Sequence, residues 1–139
     1  MMKILRNLIV ATCVLSTLSC DGGGDGGEVG WSTFVFRVHG LSSNEEFRFR
    51  TNNQSFIIKA REQLRLPDEQ RHLFPIGTIA SGNGGHNLNW SWHFTDLALA
   101  EASIELCDGR PSMVEANLTY WLDTVKSFCP WGGYLYAEL

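Results

Sequence analysis

The chain has 139 residues, of which 11 are basic and 15 acidic, for a formal charge of −4. It carries no basic stripe, which excludes the electrostatic footprint of a nucleic-acid binder and argues against attachment to anionic lipid by charge alone. Beyond the first 28 residues there is length for one domain, 29–139, whose single core buries roughly two-thirds of its unfolded surface.

The first segment reads as an export leader, residues 1–19. Lys3 and Arg6 precede an apolar run from Leu8 to Leu18, which suits a signal peptide and falls short of the ~20 residues a spanning helix needs. Ser16-Thr-Leu-Ser-Cys20 resembles a lipobox, with small residues giving a peptidase access to the bond before a cysteine whose thiol takes a diacylglyceryl group. Cys20 is therefore the expected lipidation site, with several acyl chains (palmitate among them) holding the mature protein on a membrane. The alternative is an ordinary signal peptide with an incidental cysteine. Asp21-Gly-Gly-Gly-Asp-Gly-Gly-Glu28 has too little apolar surface to fold and reads, with Cys20, as a tether over 20–28. The expected location is the cell envelope, lipid-anchored outside the cytoplasm. Asp21 resembles an inner-membrane retention signal of enteric-type bacteria, and the choice between inner and outer membrane stays open. Losing Lys3 and Arg6 with the leader, while all 15 acidic residues remain, takes the charge to about −6.

The folded part opens on strand patterns. Thr33 to His39 alternates, and so does Phe47-Arg-Phe-Arg50. Together with Ser55-Phe-Ile-Ile-Lys59, across Thr51-Asn-Asn-Gln54, the second run predicts a β-hairpin. A short helix is expected over about 60–65, stopped by Pro67. Leu73 to Ala80 predicts a strand with Pro75 near an edge or bulge. A Gly/Asn loop, Ser81 to Asn89, leads into Trp90-Ser-Trp-His-Phe-Thr95, where Trp90, Trp92 and Phe94 share one face and His93 the other. Glu101 to Cys107 alternates again, with Ala102, Ile104 and Leu106 on its apolar side. The main helix is expected over about 112–125. Ser112-x-x-Glu115 fits a capping box, and Val114, Leu118, Trp121, Leu122 and Val125 form one stripe. Tyr134 to Leu139 closes the chain as a strand. The sum is an α+β domain, a mainly antiparallel sheet with one main and one short helix packed on it.

Of four cysteines, Cys13 leaves with the leader and Cys20 carries lipid. Cys107 and Cys129 then face an oxidising compartment, where a disulfide is expected. With His86 and His93 they would make a Cys₂His₂ zinc set, but no pair has the close spacing of such sites, so no metal and no cofactor is expected.

Several segments occur in a fixed order: Gly77-Thr-Ile79, His86-Asn87, Trp90-Ser-Trp-His93, Ile104-Glu-Leu-Cys-Asp108, Val114-Glu115 and Phe128-Cys-Pro-Trp131. The series resembles the N-terminal domain of the slime-mould cyclic-AMP-inducible, calmodulin-binding adhesion-like proteins and small secreted bacterial domains like it, from about Phe47 onward. The calmodulin label is not carried over. Calmodulin targets are basic amphipathic helices, whereas Glu115, Asp123 and Lys126 lie off the stripe of the best helix here.

Catalytic signatures are sparse: no Gly-x-Ser-x-Gly, His-Glu-x-x-His or phosphate loop is present. The leading expectation is a non-catalytic binding or interaction module tethered at the envelope, with an unidentified protein or envelope ligand as partner and His86, Asn87, His93 and Trp131 as candidate contacts. Trp92 and Trp121 are expected in the core and Trp131 to have the best chance of exposure. The alternative is an envelope hydrolase or metal-dependent enzyme using His86, His93 and Glu105. That reading requires both histidines and Glu105 in one cleft.

Overall fold

The computed structural model describes residues 30–139. The leader 1–19, the lipidation site Cys20 and the tether 20–28 lie outside the described residues. The domain is α+β, built on two antiparallel sheets. In the first, β1 (Ser32–Val38) is flanked by β2 (Phe47–Thr51) and by the C-terminal β7 (Gly133–Glu138). In the second, β3 (Phe74–Ser81) pairs in turn with β5 (Ala98–Ala100), β6 (Ser127–Phe128) and β4 (Trp92–Phe94) along its length. Pro75 sits opposite Leu99 in that ladder.

Aromatic side chains join the two sheets. Phe47 of β2 stacks on Phe36 of β1 with 5.3 Å between ring centres, and it meets Trp92, Phe94 and Phe128 of the second sheet at 6.0, 5.8 and 5.9 Å. These rings are buried, and edge-to-face and tilted contacts of this kind add roughly 0.5–1.5 kcal/mol per pair beyond the area they hide. Trp92 and Trp121 are both buried, as their positions in the sequence pattern predict.

Three local expectations fail. The hairpin of Phe47–Arg50 with Ser55–Lys59 does not form, because residues 54–64 are one helix, α1 (Gln54–Leu64). The Asn53 side chain caps it by accepting from the Phe56 N–H at 3.2 Å, and Phe56, Ile57 and Ala60 bury one face. The short helix expected over 60–65 is thus the second half of a longer one. A three-residue apolar run fits strand or helix equally well, and only the cap and the i, i+3/i+4 burial decide.

Residues 101–107 are not a strand. Glu105–Cys107 is a single 3-10 turn, and Ile104 and Leu106, the expected apolar face, are 68% and 58% exposed. Alternation makes a strand only where a neighbour supplies the hydrogen-bond ladder, and here the ladder partner of β3 is Ala98–Ala100 instead.

The helix over 112–125 is divided into α2 (Pro111–Ala116), α3 (Leu118–Tyr120) and a π-helical turn, Trp121–Val125, closed by Lys126 at φ 64°. The stripe still faces inward, with Val114, Trp121 and Val125 buried. No capping box forms. Pro111 takes the first helical position, which suits its fixed φ and missing N–H. Ser112 donates its N–H and its O–H to the Glu45 carboxylate, at 2.9 and 2.6 Å. Glu115 accepts from the Ser91 N–H at 2.9 Å. The two residues that sequence pairs with each other therefore tie α2 to two distant segments.

Candidate functional site

Two separate open clefts contain Trp131 and the pair His86 and His93. The first lies beside Cys107 and Cys129, which form a disulfide with Cα atoms 5.1 Å apart. Few residues here belong to a sheet, so other bonds hold them. The Cys129 N–H donates to the Cys107 carbonyl at 2.7 Å. The Trp131 N–H donates to the Asp108 carboxylate at 2.8 Å, and the Gly109 N–H to the same oxygen at 2.9 Å. The Gly132 carbonyl accepts from His39, and the Gly133 N–H donates to Pro130 at 2.7 Å. A side chain at Gly133 would strike that carbonyl, so the tight turn requires glycine. Four consecutive residues after Phe128 are thus fixed through their backbones.

Their product is Trp131, held 42% exposed at the rim of a cleft of about 290 Å³ that also presents His72, Phe74, Glu101, Ala102 and Ser103. Of Trp90, Trp92, Trp121 and Trp131, only Trp131 is exposed. His72 Nε2 stands 3.8 Å from Glu101, both groups largely in water. Ser103 Oγ lies 3.5 Å from Cys107 Sγ. No serine–imidazole hydrogen bond forms, so the trio lacks the contact that activates a nucleophile.

The second cleft, about 580 Å³, holds His86 and His93 with Trp31, Arg50 and Gly84. The ring centres of the two histidines are 5.9 Å apart, at right angles. Each Nδ1 meets a carbonyl of the glycine loop, His86 with Gly84 at 2.8 Å and His93 with Gly82 at 2.7 Å. A carbonyl only accepts, so Nδ1 carries the proton and each neutral ring keeps its lone pair on Nε2. Gly84, at φ +60°, fits between the rings, where a Cβ would come within 2.6–2.8 Å of both. Burial holds the His86 imidazole below its ordinary pKa, helped by the charges of His93 and Arg50 and opposed by the bond to Gly84.

The structure brings His86 and His93 together but leaves Glu105 out of their cleft; Glu105 is exposed on its 3-10 turn. The three-residue constellation that a hydrolase reading needs is not assembled. Asn87 is also no contact residue. It is 1% exposed, its Oδ1 accepts from Arg48 N–H at 2.8 Å and its Nδ2 donates to the Trp92 carbonyl at 2.9 Å. Both ends of the amide are occupied, and it pins β2 to β4. Among the described residues, no group of three or more His, Cys, Asp or Glu side chains converges to hold a metal, and no helix is long and apolar enough to cross a membrane.

Trp31, 60% exposed, and Arg50 join the cleft although no sequence pattern marks them. Trp31 precedes the first strand and Arg50 ends an alternating run, and neither carries a local signature of recognition.

Fold and clefts together define a small disulfide-bridged α+β domain with pre-shaped open surface clefts. The chain belongs to the BP-74 N-terminal domain family, whose family model matches residues 31–139. The match reaches back past Phe47 to include β1. No curated protein and no solved structure shows a significant match.

Proposed function

We propose that the protein is a non-catalytic binding module displayed at the bacterial cell envelope, exported by the leader 1–19, lipid-anchored through Cys20 and held off the membrane by the tether 20–28. The observation that carries the binding role is Trp131. A half-exposed indole carried on a backbone fixed by a disulfide and four hydrogen bonds has little main-chain freedom left to lose on association, so more of its contact area goes into affinity. Polar groups of His72, Glu101 and Ser103 around it supply directional contacts to a ligand. Ile104, next to Ser103 in the chain, is exposed as well. The glycine tether suits a domain that must reach a partner, and the adhesion-like relatives point the same way by analogy.

The test begins with the anchor. Parent protein should take up labelled palmitate and partition into detergent, and Cys20→Ala should do neither. The full chain should then capture a partner from envelope fractions, and Trp131→Ala should lose it while melting as the parent does. Capture unaffected by Trp131→Ala, together with a measurable hydrolysis abolished by His93→Ala, would overturn the binding reading.

A further inference from the structure

Adjoining the histidine cleft is a second depression of about 330 Å³ that shares Trp31, Arg50 and His86 with it and adds Arg48 and Leu88. The two form one continuous surface. In a chain of net charge −4, this surface presents two arginines and two histidines; no Asp or Glu side chain lines either depression, and Leu139 lies at the edge of the second. Arg37, Arg48, Arg61 and Arg71 are each matched to a carboxylate. Arg50 has no such partner among the described residues. Its guanidinium lies 5.2 Å from the centre of the Trp31 ring, within the range of a cation–π contact, so the fork is steered without being neutralised.

Three recognition chemistries therefore share one shallow face. Arg50 offers a planar pair of donors matched to a carboxylate. Trp31 offers a flat apolar face, 60% exposed. His93, with Nδ1 committed to Gly82, offers Nε2 as an acceptor for a hydroxyl when its ring is neutral. A simple phosphate needs no aromatic face, and a neutral sugar needs no free guanidinium. A sugar ring that bears both hydroxyls and a carboxylate uses all three. We infer that the Trp31–Arg50–His93 face is a binding subsite for an acidic saccharide of the uronic-acid class, with Trp31 stacking on the ring, Arg50 clasping its carboxylate and His93 accepting from a hydroxyl. All three residues line the histidine cleft, and the adjoining depression leaves room for a further sugar of a chain. This face shares no lining residue with the Trp131 cleft, so either site stands or falls without the other.

Calorimetric titration of the full chain in neutral detergent tests the assignment, with oligogalacturonate of three to six units as probe. Matched neutral galactose oligomers, inorganic phosphate and vesicles of phosphatidylglycerol in phosphatidylcholine are the comparison arms. Oligogalacturonate should bind at least about tenfold more tightly than the neutral oligomer, since a charge-assisted fork is lost with the carboxylate. Arg50→Ala should weaken it about tenfold or more. Arg50→Lys, which keeps the charge but not the fork, should fall between, and a melting curve like the parent's shows that each variant folds. Trp31→Ala should weaken binding several-fold and Trp131→Ala should leave it unchanged. Equal binding of neutral and acidic oligomers would overturn the proposal. So would binding of phosphate or vesicles without oligogalacturonate, or loss of binding in Trp131→Ala but not in Arg50→Ala.

Discussion

The two clefts are built by opposite means. The Trp131 cleft stands on residues 101–109 and 129–132, which have almost no sheet ladder and rely on one covalent bond and a handful of loop hydrogen bonds. The histidine cleft stands on β2 and β4, with the glycine loop pinned to both through Asn87. A loop without a ladder needs a cross-link to hold an aromatic ring outside the core, whereas a ladder can position side chains through backbone pairing alone.

Reduction should separate the two regions most strongly. Replacing Cys107 and Cys129 with serine should cost about 3 kcal/mol, the chain-entropy value for a loop of this length, measured by denaturant unfolding. Amide exchange should rise around 101–109 and 129–132 while the protection of Asn87 and Trp92 persists. Equal loosening of both regions would show that the clefts are one cooperative unit.

Asn87→Ala is the converse experiment. It strips two backbone groups, one on β2 and one on β4, of their partner, and should cost about 2 kcal/mol. The pairing geometry of His86 and His93 should change, seen as shifts in their imidazole NMR signals, while Trp131 stays as it was. Unchanged imidazole signals would mean that the glycine loop holds its shape without the asparagine.

Asp108→Ala should cost about 1 kcal/mol, as it removes the acceptor for Trp131 and Gly109 N–H groups that water can partly replace. Its clearer signature is local: iodide should quench Trp131 fluorescence more readily, with Trp131→Phe identifying the responding ring. No change in quenching would place the rigidity of Trp131 in the disulfide alone.

The smallest effect is a pH dependence confined to the histidine cleft. The folded pKa of His86 lies below its ordinary value of 6.5, so as pH falls the unfolded chain takes up its proton first. Stability should be level above pH 6.5 and decline as pH drops from there through the folded pKa. His86→Gln should flatten that part of the curve. A decline that survives the substitution would assign it to another group.

Much of the framework was legible in the chain because it follows from short-range rules. Trp92 and Phe94 alternate with residues turned outward, and their face is buried. The stripe from Val114 to Val125 faces the core even though its helix is broken at Asn117, since the inward positions survive a change of helical pitch. What misled was period without context. Phe56-Ile-Ile58 looked extended until Asn53 is seen as a cap, and Ile104 and Leu106 alternated beside no strand.

The α+β class, the two cysteines that pair and the burial of Trp92 and Trp121 were readable from the chain alone. Each depends on composition, compartment chemistry or a repeat of two to four residues. Packing alone made Trp131 exposed, Asn87 a strut and not a contact, kept Glu105 apart from the histidines, and brought Trp31 and Arg50 beside them. Those outcomes depend on which segments pack together, Arg48 and Asn87 being 39 positions apart and Trp31 and His93 62, and no local pattern encodes the packing of two sheets that brings them together.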